Sequence, residues 1–133
     1  MPKETIVILD PELNTQWPLK TFLENEDYNV VPVNTIEKAR KKFSEFEVSG
    51  LITEYWSNHS STLETVRGFK KSFPEAYVML LTHGEIKERE YEEIIDAGAD
   101  DFFAKMPNVA LNYWPQQPIW AKILTFRLLH SHT

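Results

Sequence analysis

Thr5-Ile6-Val7-Ile8-Leu9 is apolar at nearly every position and rich in β-branched side chains. A short run without polar alternation predicts a strand covered on both faces, as in a parallel sheet between helices. It ends at Asp10-Pro11-Glu12. Asn14 or Thr15 is then placed to cap a helix running to about Glu26, with Pro18 tolerated in its first turn. Tyr28 to Val33 reads as a second strand, and Pro32, which cannot donate to a ladder, puts it at an edge. Asn34 and Glu37 stand at capping-box spacing, with Ile36, Ala39, Phe43 and Phe46 behind them as an inward helical face. Lys38, Arg40, Lys41 and Lys42 face elsewhere and read as the solvated side of that helix.

Val48 to Glu54 is the third strand, followed by a polar loop, Ser57 to Ser61. A helix with Leu63, Val66 and Phe69 inward comes next, closed by Pro74. Ala76 to Thr82 is the fourth strand, Glu85 to Ala97 a helix stopped by Gly98, and Asp100 to Lys105 a short fifth strand. Pro118 begins a last helix carrying Ile119, Ile123, Phe126 and Leu129. This fivefold β-then-α alternation has no internal linker. It predicts one α/β domain, a doubly wound three-layer sandwich around a five-stranded parallel sheet. Ligands of such folds bind beyond the carboxyl ends of the strands. Asp10, Glu54, Thr82 and Lys105 stand there, each closing a different apolar run.

At 133 residues, 42% of them hydrophobic, the chain suits a single core without staples. Fourteen Lys+Arg against 20 Asp+Glu leave a net charge of −6, spread along the chain, which argues against a nucleic-acid binder. Without cysteine there is no disulfide, thiolate metal site or cysteine nucleophile. The amino terminus lacks the pattern of a secretion signal, and no apolar run approaches the ~20 residues that span a bilayer. A cytoplasmic protein is expected. His59, His83, His130 and His132 share no ligand spacing and read as exposed loop or terminal residues. No phosphate-cradling glycine loop and no hydrolytic constellation is present.

The polar ends of four of the strands, with Ala97-Gly98-Ala99-Asp100-Asp101-Phe102-Phe103-Ala104-Lys105, resemble the receiver domain of bacterial two-component response regulators. The resemblance covers roughly residues 4 to 129 and implies the (βα)5 flavodoxin-like fold. It places Asp10 at the first position of an acidic pair that holds magnesium, Glu54 at the phosphoacceptor, Thr82 at the hydroxyl position, Lys105 at the lysine and Phe102 at the switch aromatic. Pro74 keeps the register.

Departures gather at the same place. Pro11 replaces the second acid, with Glu12 following it. Glu54 replaces the nucleophilic aspartate. Met106 intervenes before Pro107, and the bulky Tyr55-Trp56-Ser57-Asn58-His59 replaces a loop that normally holds proline and glycines. Magnesium would depend on Asp10, Glu12 and Glu54, a weak set. Because positioning carries most of phosphoryl transfer, the longer Glu54 is a poor acceptor.

Two readings of Glu54 stay open: a built-in activator reaching Lys105 or Thr82, and a structural ion pair with Lys105. Phe102 without a hydroxyl is expected to stay turned inward. Tyr113 and Trp114, in a loop longer than the family's, either form a partner surface or pack over the last helix with Trp120.

The expected function is that of a stand-alone atypical receiver in signal transduction, binding protein rather than nucleic acid or membrane. A histidine kinase, an output protein or a second copy would be its partner. The face of the fourth helix, fifth strand and fifth helix is the expected dimer or output surface. It is not expected to be an enzyme; autophosphorylation from a phosphodonor is the most it could catalyse, and that too is not expected. The competing readings are a magnesium-dependent phosphorelay receiver and a ligand-sensing pseudo-receiver.

Overall fold

The computed structural model describes residues 3–57, 59–83 and 87–105. Five strands form one parallel sheet: β1 (Thr5–Leu9), β2 (Asn29–Val33), β3 (Val48–Glu54), β6 (Tyr77–His83) and β7 (Asp101–Lys105). Two further short strands, β4 (Trp56–Ser57) and β5 (Ser60–Ser61), pair with each other alone. The helices are α1 (Leu13–Asn25), α2 (Ile36–Glu45), α3 (Leu63–Ser72) and α4 (Glu88–Asp96). The sheet order is β2-β1-β3-β6-β7. The expected doubly wound fold is thus found, with Pro32 on the edge strand β2. The helix expected from Pro118 lies outside the described residues.

The unbroken apolar runs are explained by the two layers they serve. Along β1, Val7 and Leu9 join a core with Ala39 of α2, Leu63, Val66 and Phe69 of α3, and Ile94 of α4. Ile6 and Ile8 point the other way, into a core with Leu19 and Leu23 of α1. Successive strand side chains face opposite layers, so a covered strand must be apolar at both parities.

Several local expectations are corrected. Helix α1 starts at Leu13 rather than after Asn14 or Thr15, because Asp10 Oδ1 accepts from the Glu12 amide (2.8 Å) and turns the chain earlier. Pro18 therefore sits at the sixth helical position, in the second turn, where it supplies no N–H to the Asn14 carbonyl. The cap of α2 is Thr35, one residue beyond Asn34: its hydroxyl accepts from the Lys38 amide (3.1 Å). Phe46, expected inward, lies beyond the end of α2 and is exposed, its ring 5.8 Å from the Lys42 ammonium. The polar loop at 57–61 is a β-hairpin, closed at His59 by a positive φ of 69°.

Gly98 ends α4 as expected. Its amide donates to the Ile95 carbonyl (3.0 Å) and the Ala99 amide to Ile94 (3.3 Å), a Schellman closure with Ala99 and Ile94 together in the core. Gly98 has φ 106°, and a Cβ there would lie 3.0 Å from Lys70 Cγ. Gly98→Ala is expected to cost about 1–3 kcal/mol, read as a lower urea midpoint with unchanged slope.

Candidate functional site

The sheet reverses its winding between β1 and β3, which leaves a crevice at their carboxyl ends. Asp10 directly follows β1 and is 2% exposed; its amide donates to the Val33 carbonyl (3.1 Å), tying it to the end of β2. Glu54 is the last residue of β3 and 3% exposed. On β6 its register partner is Leu81, which puts Thr82 one step beyond it. Thr82 is 4% exposed, and its hydroxyl has no hydrogen-bond partner among the described residues. The sheet therefore gathers Asp10, Glu54 and Thr82 at one end of three adjacent strands.

On β7, Lys105 stands in register with His83 at the same end, though both side chains lie outside the described residues. Phe102 pairs with Leu80 and is half-buried, its ring edge-on to Tyr91 of α4 at 5.2 Å. Tyr113 and Trp114 lie outside the described residues. Because the Thr82 hydroxyl is unpartnered there, Glu54 does not reach it in this conformation; the arm of that reading toward Lys105 rests on a side chain outside the described set.

A magnesium site needs several oxygen ligands converging on one point. Among the described residues no three acids or histidines are close enough to hold an ion together. Asp10 Oδ1 already accepts the Glu12 amide, Pro11 has no side-chain oxygen, and Glu12 is exposed.

Thr62 at this end escaped the sequence reading, and Tyr55 and Ser57 were marked there only as parts of a bulky segment. Thr62 is fully buried: its hydroxyl lies 2.7 Å from the Glu54 carbonyl and 3.2 Å from that of Tyr55, while its amide donates to Tyr55 (2.9 Å). A threonine just before Leu63 resembles a helix cap, but the hydroxyl donates backward instead of accepting from α3. Tyr55 donates its amide to the Leu81 carbonyl (2.9 Å) and buries its ring among α3 and α4 side chains. Its hydroxyl reaches Glu93 Oε2 of α4 (3.4 Å). Ser57 is buried and its hydroxyl has no partner among the described residues, while its neighbour Trp56 is 56% exposed. A single aromatic beyond a strand end leaves no periodic trace, so only its bulk signalled it.

No protein-family model and no curated protein matches the sequence. Solved structures match it closely in shape. The response regulator receiver domain protein (CheY-like) of Methanospirillum hungatei JF-1 has a TM-score of 0.80 over 98% of this chain and 94% of its own, at 18% identity. A two-component response regulator from Clostridium difficile scores 0.73 over 96% and 99%, at 17% identity. The chemotaxis response regulator CheY4 of Vibrio cholerae scores 0.76 over 96% and 99%, at 15% identity. The chain is similar to these in fold along nearly its whole length.

Burial, and then the nearby Glu93 and Glu90 carboxylates, push the Tyr55 phenol above its ordinary value of 10.0. The folded state thus holds this proton more tightly than the unfolded chain. Its contribution to stability is complete below pH 10 and is lost as pH climbs through the raised value. Urea unfolding followed at increasing pH above 10 should show wild type losing stability faster than Tyr55→Phe. Tyr28, raised by burial and by Glu4 and Glu26, leaves a common residual slope in both.

Proposed function

We propose that this chain is an atypical receiver domain that signals by binding another protein and takes no phosphate at Glu54. The observation that carries the reading is the meeting of buried Asp10, Glu54 and Thr82 at the strand ends of a receiver fold, with glutamate where an aspartate nucleophile is expected. The extra methylene moves the attacking oxygen, and in phosphoryl transfer misplacement is costly because there is little other covalent work for the protein to do. The ligand set for the ion that would offset the charge is short, since Pro11 contributes nothing and Asp10 Oδ1 is engaged.

The partner is a kinase, an output protein or a second copy, and the reading places the domain in the cytoplasm. Among the described residues, no helix is long and apolar enough to cross a membrane. The surface assigned to the partner is the α4–β7 side. There Tyr91 is 44% exposed and Ile95, one turn further along α4, is also exposed, while Phe102 stands beneath Tyr91.

Intact mass after incubation with magnesium and acetyl phosphate tests the reading, with a receiver that carries the usual aspartate as positive control. The expected spectrum shows no phosphoryl gain on this chain and a clear gain on the control. A gain on this chain overturns the proposal and directs attention to the acceptor.

A further inference from the structure

Tyr55 joins the pocket to α4 by a continuous set of contacts. At the pocket, the single hydroxyl of Thr62 lies within hydrogen-bonding distance of the carbonyls of both Glu54 and Tyr55, so the two peptide units are held as one piece. The Tyr55 amide is bonded to Leu81, the residue before Thr82, which adds the end of β6 to the same unit. The ring then crosses the core layer shared with Leu63 and Ile94, and the hydroxyl ends at Glu93. Trp56, largely exposed on the hairpin, rests against the same ring at a centroid distance of 5.2 Å.

Tyr55 lies two residues before Ser57 of the hairpin, and its amide is bonded beside Thr82 at the end of β6. A change there moves a rigid ring whose far end is attached to α4. The Phe102–Tyr91 contact is a separate connection to the same helix, made from β7.

We propose that Tyr55 is the positioning residue that transmits the state of the Glu54 pocket to α4, through its hydroxyl's contact with Glu93. The inference does not depend on whether the domain is phosphorylated, since it concerns only how a change at the pocket reaches the helix.

Amide NMR of the full chain tests it by coupling. Glu54→Gln is introduced into wild type, into Tyr55→Phe, into Glu93→Ala and into Phe102→Leu, and the amide shifts it causes over residues 88–96 are compared. The expected result is a set of α4 shifts in wild type that is lost in both the Tyr55→Phe and Glu93→Ala backgrounds and kept in Phe102→Leu. A merely structural tyrosine would lower stability without removing the effect of Glu54→Gln. Equal α4 shifts in all four backgrounds, no α4 shift in wild type, or loss confined to Phe102→Leu each overturn the proposal. Should Tyr55→Phe fail to fold, Glu93→Ala, on the partly exposed side of the contact, decides alone.

Discussion

The parallel sheet is covered on both faces, by α2, α3 and α4 on one and by α1 on the other, so a side chain along β1, β3 or β6 meets hydrocarbon whichever way it points. An unpaired charge in that setting is expensive. Polar chemistry is consequently expelled to the strand termini, and the reversal of winding between β1 and β3 opens a crevice at the carboxyl ends. Asp10, Glu54 and Thr82 share a neighbourhood because each stands at the carboxyl end of the buried run of its strand.

That same constraint decides what was legible in the sequence. Five apolar runs alternating with helical spacing leave little choice of architecture, and the strand limits fall within a residue or so of the residues that break each run. The register of Glu54 and Thr82 follows from the same runs. What was harder to read depends on competition between neighbours. Asn34 and Thr35 are both able caps, and only the geometry of entry selects Thr35. The start of α1 is set by the Asp10 carboxylate acting on the amide two residues on, a contact with no periodic signature. The hairpin after Glu54 was hidden because its strands are two residues each, too short for alternation to register.

Identities of 15–18% with receiver structures accompany TM-scores from 0.73 to 0.80, since an apolar face tolerates many hydrophobic substitutions so long as its pattern persists.

At the opposite end of the sheet, Lys70 fastens several elements at once. Its ammonium contacts Asp100 Oδ2 (2.9 Å) and the Ala76 carbonyl (2.6 Å), and the same Asp100 oxygen accepts the Val78 amide (2.8 Å). Lys70 also packs beneath Gly98, where α4 terminates. The end of α4 therefore stands directly over a junction that ties α3, β6 and the entrance to β7 together, and an L side chain at 98 would loosen that junction along with the helix end.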